Sequence, residues 1–252
     1  MTRILVVSDM HVGSRYGLMP KQWGEVLANP IQREILRKWD EMCKHEREID
    51  YLIVNGDTVD GTSPAEEGKY QSIPDTDEQI NAAVELVSNI NCDKILVTYG
   101  SKYHTKENPN LDEAFAKEVG ASKHDYEISF QPKALDDVFH LAHNIGTSFS
   151  SWQYRTTPIA KELVAALLNE KELHSYKCVI RSHAHYYCMV SFTSNFGLIT
   201  PCWQTRTPYM VRKGLSMIPK LGYVLLEKRD RNSGWAVTPR TFNMPRPELV
   251  KL

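Results

Sequence analysis

The chain has 252 residues, 42% of them hydrophobic, 24% charged and 10% aromatic, with a formal net charge of −1. That composition fits a globular protein with a core large enough to need no disulfides, and its near-neutral charge argues against a general nucleic-acid-binding surface. The five cysteines (Cys43, Cys92, Cys178, Cys188, Cys202) are odd in number and lack CxxC spacing, no apolar run reaches membrane-spanning length, and no signal-peptide pattern opens the chain, so the expectation is a soluble intracellular protein with reduced thiols.

The first eleven residues read M-T-R-I-L-V-V-S-D-M-H. The unbroken apolar run Ile4–Val7 predicts a strand buried on both faces, with Ser8 to His11 leaving its carboxyl end. Ligand sites in open α/β sheets lie beyond such ends. In extended chain, Asp9 and His11 would point to the same side. Val12 to Pro30 reads as a long loop, with Gly24 among its turn residues. Arg15, Tyr16, Lys21 and Trp23 in it are placed to meet an anionic or aromatic substrate, or else form an ordinary solvated loop. Ile31 to Glu48 has helical spacing. Tyr51–Val54 predicts a second buried strand, running out into Asn55-Gly56-Asp57-Thr58-Val59-Asp60-Gly61.

After a loop over Gly61 to Asp75, a helix is expected over Thr76–Ile90, capped by Thr76 or Asp77. Asp93–Thr98 gives a third strand, followed by Gly100-Ser101-Lys102-Tyr103-His104. A helix over Pro109 to Val119 stops at Gly120. The pattern then becomes strand-rich. Asp137–Ala142 leads into His143, with His140 facing the other way. A helix runs from Thr157-Pro158 to about Asn169, and Lys177–Arg181 leads into Ser182-His183-Ala184-His185. Strands are further expected over Tyr186–Val190, Gly197–Thr200, Leu221–Leu226 and Trp235–Thr241. Between Met189 and Leu226 lie Arg206, Arg212, Lys213 and Lys220 and no acidic residue. This run suits either a phosphate-bearing partner or a solvated loop. With no repeat or linker, one domain over 1–252 is expected, α/β first and then mostly β.

Asp9, His11, Asp57, His104, His143, His183 and His185 all follow apolar strands. A lone His or Asp there is ordinarily a hydrogen-bonded structural residue, but this many ligand-type residues at strand ends point to a metal site. Carboxylate and imidazole suit Mn, Zn, Fe, Co or Ni. In extended chain His183 and His185 would be about 7 Å apart, a span that serves two ions roughly 3.5–4 Å apart.

On these motifs the chain resembles the calcineurin-like metallophosphoesterases. Asp9-Met10-His11 matches D-x-H, Gly56-Asp57-Thr58-Val59-Asp60 matches GDxxD, and Ser182-His183-Ala184-His185 matches G-H-x-H with Ser for Gly. His143 matches the family's isolated metal-binding His. Pro201-Cys202-Trp203-Gln204 looks like a stretch of phage-encoded members. The resemblance implies two facing mixed β-sheets flanked by helices, a four-layer sandwich. It also implies two divalent ions, manganese first, with Fe, Zn, Ni or Co as alternatives. Asp9, His11, Asp57 and His185 would hold one ion and Asp57, His143 and His183 the other, with Asp60 orienting a ligand.

The chain departs from the family at Gly-Asn-His, where it has Gly100-Ser101-Lys102-Tyr103-His104. His104 would keep the role of general acid if the extra residues form a short insertion, while Ser101 and Lys102 would be weak metal or phosphate contacts. A loosely held or missing second ion is the alternative. The expected activity is metal-dependent phosphoester hydrolysis without a membrane partner, in the cytoplasm or a phage host's cytoplasm. A phosphodiester, including nucleic acid or nucleotide, is favoured over a phosphomonoester or phosphoprotein. A non-catalytic scaffold of the same fold is the rival reading.

Overall fold

The computed structural model describes residues 1–23, 28–63, 67–105, 110–133, 135–146, 152–215 and 217–244. Gly24 and Pro109, part of the predicted loop and helix, lie outside them. β1 (Thr2–Val7) starts the chain, followed by α1 (Pro30–His45), β2 (Ile49–Asn55), α2 (Thr76–Ser88) and β3 (Cys92–Thr98). The short α3 (Lys102–Thr105), then α4 (Leu111–Glu118), β4 (Lys123–Asp125), β5 (Glu127–Phe130) and β6 (Val138–Ala142) come next. α5 (Thr157–Leu168), β7 (Tyr176–Arg181), β8 (Cys188–Phe192), β9 (Asn195–Ile199), α6 (Pro208–Arg212), β10 (Leu221–Lys228) and β11 (Ala236–Phe242) complete the series.

The strands form two mixed sheets, in the orders β11-β10-β1-β2-β3-β4 and β5-β6-β7-β9-β8. β1 to β4 pair in parallel, and β10 closes antiparallel on β1. In the second sheet β6, β7 and β9 are parallel, with antiparallel edges β5 and β8. The apolar runs are continuous because these strands are covered on both faces. Ile4, Val6 and Ile53 point inward against Phe139, Leu141, Ile180 and Leu198 of the other sheet. Leu5, Val7, Leu52 and Val54 point outward under Ile35 and Trp39 of α1 and Leu86 of α2. α5 covers the second sheet through Ile159 and Leu163. Two facing sheets with helices outside are the architecture expected from the resemblance.

Local details differ from the sequence expectation where side chains act at a distance. The residue capping α2 is Asp75, whose carboxylate accepts the N–H groups of Asp77 and Glu78 at 2.9 Å. α1 starts in a capping box of Asn29 and Gln32 and stops at His45, three residues before Glu48. The last outer strand pair turns at Thr193–Ser194, so β8 and β9 are offset from the predicted spans. No helix among the described residues is long and apolar enough to cross a membrane.

Candidate metal centre

β1 ends at Val7, and the site residues that follow do not continue it. Asp9 and His11 have φ of 50° and 45°, Asp57 48°, His183 66° and His185 54°. Non-glycine residues seldom take this left-handed conformation, which costs roughly 1–3 kcal/mol each and concentrates at functional sites. The extended-chain arguments for Asp9 with His11, and for the 7 Å span of His183 and His185, therefore do not describe the folded chain. Left-handed turns aim these side chains instead. Backbone bonds between the loops after β1 and β2 hold the turns: Asp9 N–H donates to Gly56 O at 3.0 Å, His11 N–H to Asp57 O at 3.1 Å and Asp60 N–H to Val12 O at 2.9 Å.

The structure gathers the predicted ligand-type residues into a buried group and a second one that opens to solvent at His183, with a third between them. Asp9, His11 and His185 form one, and Asp57, His143 and His183 another. In the first, Asp9 Oδ1 is 3.2 Å from His185 Nε2, and the Nε2 atoms of His11 and His185 are 3.4 Å apart. In the second, Asp57 Oδ2 is 3.1 Å from His143 Nε2 and 4.0 Å from His183 Nδ1. The groups touch, since His143 Nε2 is also 3.8 Å from Asp9 Oδ1. His104 forms the intervening group with His11 and Asp57. By contrast, His140 takes a hydrogen bond from Arg181 Nη2 at 3.0 Å and packs on Tyr176, outside these groups.

The chemistry of the donor set fits divalent ions. Asp9 Oδ1 and His143 Nε2, which face each other, are buried and make no hydrogen bond, and such orphans carry a desolvation cost that a bound cation relieves. His143 Nδ1 donates to Asn55 O at 2.7 Å, which leaves its Nε2 as the free lone pair facing the carboxylates. Protons compete for those lone pairs. Burial alone would lower the His143 imidazole, but Asp57 and Asp9 lift it to about 9. Burial likewise opposes charge on His185, while Cys202 and Asp9 raise it well above the usual range. His11 goes the other way, lowered to about 4 by burial and by His104. Burial would raise the Asp9 carboxyl, yet His185 and His143 hold it at about 2.

The departure at Gly100 is accommodated locally. Gly100 packs so tightly that a Cβ would overlap the Asp57 carboxylate. Ser101 lies against that carboxylate, its N–H donating to Oδ1 at 2.7 Å and its hydroxyl at 3.1 Å. α3 then turns the chain so that His104 reaches the site, its ring 4.3 Å from that of His11. Asp60 sits between these imidazoles, with Oδ1 3.6 Å from His11 Nδ1 and 3.5 Å from His104 Nδ1. The Asp60 carbonyl takes a hydrogen bond from His104 Nδ1 at 3.0 Å. Lys102 is exposed at the start of α3.

Two supporting residues carried no sequence signal. Asp112 in the first turn of α4 accepts the backbone N–H groups of Asp57 (3.2 Å), Thr58 (3.1 Å) and Gly100 (2.7 Å), clamping two motif loops together. Burial and the Asp57 charge push its carboxyl up to about 6. Asn55 ties the two sheets: its amide donates to Ser182 Oγ at 2.5 Å and its carbonyl oxygen accepts from Thr98 Oγ1 at 2.7 Å. Ser182 and Ser8 each pair with Thr200 Oγ1 at 2.7 Å. The hydroxyl at the position where the motif usually has Gly is thus part of a buried bridge between sheets.

An open cleft of about 350 Å³ reaches the site, lined at one part by Asp57, Asp60, Ser101, His104, His183 and His185. Of the residues named in the first long loop, Tyr16 lines the cleft, Trp23 packs against the core, and Arg15 and Lys21 are exposed. The residues of the basic run do not line the cleft themselves, though two of them lie over rings that do. Arg206 donates to Leu215 O, Lys220 to Asn243 Oδ1, Arg212 lies over Tyr70 and Lys213 over Tyr209. In the Pro201–Gln204 stretch, Trp203 is fully buried edge-on to Trp39 and its backbone N–H donates to Asp9 O at 3.0 Å.

Residues 2–76 match the family model for calcineurin-like phosphoesterases. The matched segment holds the D-x-H and GDxxD motifs, while His143, His183 and His185 come from beyond it. None of the curated proteins matches the chain. Among solved structures, the chain is similar to a single-residue mutant of Vps29 from Entamoeba histolytica, at 14% identity and TM-score 0.49, covering 96% of this chain and 100% of that one. It is also similar to an archaeal phosphodiesterase (12% identity, TM-score 0.48, 95% of this chain and 100% of that one). A predicted phosphoesterase from Streptococcus pneumoniae gives 11% identity and TM-score 0.41, over 95% and 98%. Likenesses this weak carry no argument about activity.

Proposed function

We propose that residues 1–252 form one metallophosphoesterase domain that hydrolyses phosphodiesters of the nucleotide or nucleic-acid class, in the cytoplasm of the producing cell or of a phage host. The observation that carries this reading is the meeting of two ligand groups at the cleft, where the facing Asp9 Oδ1 and His143 Nε2 are buried with no hydrogen bond. Asp9, His11 and His185 would hold one divalent ion, His143 and His183 the other, with Asp57 between them; manganese is the first choice. When bound, the ions supply Lewis acidity that activates water and neutralises phosphoryl charge. The chain's own residues do the rest. His104, with Nδ1 against the Asp60 carbonyl, can hold its transferable proton on Nε2 and deliver it to the leaving oxygen. Asp60 keeps His104 and His11 oriented. Ser101 and Asp112 fix the Asp57 carboxylate and its loop, so neither metal group has to be ordered on substrate binding.

The test is hydrolysis of bis-p-nitrophenyl phosphate beside the mono-ester, with Mn²⁺ and with EDTA. The expected result is Mn²⁺-dependent turnover of the diester exceeding that of the mono-ester. Preference for the mono-ester would make the protein a phosphomonoesterase, and turnover of neither at full metal content would support the scaffold reading.

A further inference from the structure

Beyond the ligand groups, the cleft has a second part, and its composition differs. Tyr16, Tyr70, Tyr103 and Tyr209 line it together with Met210 and Met217. Two of these rings stay open to solvent, Tyr209 at 42% and Tyr103 at 38%. Large aromatic surface left exposed beside a reaction site marks a place where a ligand completes the packing. No lysine or arginine lines the cleft among the described residues. The nearby cations Arg212 and Lys213 lie over the Tyr70 and Tyr209 rings at 5.8 Å each.

The segments that bear Tyr16, Tyr70 and Tyr209 are tied to one another. Tyr16 O accepts the N–H of Thr205 at 2.8 Å, Arg15 N–H donates to Tyr70 O at 2.9 Å, and Ser14 pairs with Gln71 as an isolated bridge. The Tyr16 and Tyr70 rings pack edge to face with centroids 6.1 Å apart. The Thr207 hydroxyl accepts the N–H of Met210 at 3.3 Å and so starts the helix that carries Tyr209. A platform braced in this way loses little freedom when a flat ligand settles on it.

We infer that this tyrosine platform is a base-stacking subsite, and that the cleft takes a nucleoside diester with one phosphate at the metal groups rather than a long nucleic acid. The inference rests on the phosphodiesterase reading and narrows its substrate. Aromatic rings stack any nucleobase, because every base presents a π-face. A long strand would need a track of cations for its successive phosphates, and the lining provides none among the described residues.

The experiment compares two diesters with the same leaving group, thymidine 5′-(p-nitrophenyl phosphate) and ethyl p-nitrophenyl phosphate. In a second arm, calorimetry with EDTA measures binding of thymidine 5′-monophosphate and of a 20-nucleotide single strand. The expected result is kcat/KM at least about tenfold higher for the thymidine ester, carried mostly by KM, with the ratio falling by about tenfold in Tyr209→Ala and kept in Tyr209→Phe. The metal-free protein should bind the monophosphate saturably, lose this in Tyr209→Ala, and gain nothing from the longer strand. Equal kcat/KM for the two esters overturns the subsite and leaves the phosphodiesterase reading standing. Turnover of neither ester removes that reading, and the calorimetry then decides the subsite alone: no binding of the monophosphate, or tighter binding of the strand, overturns it.

Discussion

The two parts of the cleft are built on different terms. The part around Asp9, Asp57 and His143 stands at the ends of central strands, is fully buried, and is fixed by hydrogen bonds to Asp112 and Asn55 and from Ser101. The part around Tyr70 and Tyr209 is carried on loops and a five-residue helix, with rings half open to solvent. Strained backbone is concentrated in the first, at residues held in left-handed turns by neighbouring loops. Chemistry that depends on ångström placement needs the buried network. Selection of a flat group needs only a braced surface, which short loops supply.

Changes that break the buried part should have the largest effects. Asp57→Asn removes a carboxylate oxygen from the group with His143 and His183 and from the intervening group with His11 and His104, and diester turnover should fall by more than about 100-fold together with bound metal, measured by elemental analysis and steady-state rates. His104→Ala should lower kcat by about 10²–10⁴-fold while metal content stays at the wild-type level. If metal is lost too, His104 is a ligand rather than a proton carrier. Asp112→Ala leaves the N–H groups of Asp57, Thr58 and Gly100 without their acceptor. It should lower metal affinity by about 10–100-fold and destabilise the fold by at least about 1–3 kcal/mol, read by titration and urea unfolding.

A smaller effect follows from His143. Its pKa in the metal-free fold is about 9 against an ordinary 6.5. The stabilisation it gives is therefore complete below pH 6.5 and is lost as pH rises through about 9. Over the same window metal affinity should rise, as the competing proton leaves. Melting temperature of the metal-stripped protein against pH, beside Mn²⁺ titrations, should show the two opposite slopes. Lys102→Ala, exposed beside the buried part, should change turnover by no more than about twofold.

What the sequence discloses follows the same division. The buried strands and the D-x-H and GDxxD motifs are legible because covering a sheet on both faces forces continuous apolar runs and puts polar residues at their ends. The extended-chain geometry for Asp9 with His11 fails because the strand stops at Val7 and neighbouring loops impose positive φ. Asp112 and Asn55 are invisible to pattern reading: their partners are far along the chain, and in sequence they look like an ordinary first-turn acid and a turn residue. The short insertion expected between Gly100 and His104 leads into a single helical turn, Lys102–Thr105, whose purpose appears only when His104 is seen against His11. The tyrosine surface draws on four separated segments, and of its rings the sequence singles out only Tyr16 as a candidate substrate contact.

The most direct test of the account is a calorimetric Mn²⁺ titration of the metal-stripped protein, with diester turnover assayed at each point. The account predicts two ions per chain and turnover that rises with occupancy, both lost in Asp57→Asn. Binding of both ions with no turnover of any phosphodiester, or undiminished turnover in the metal-stripped protein, would contradict it.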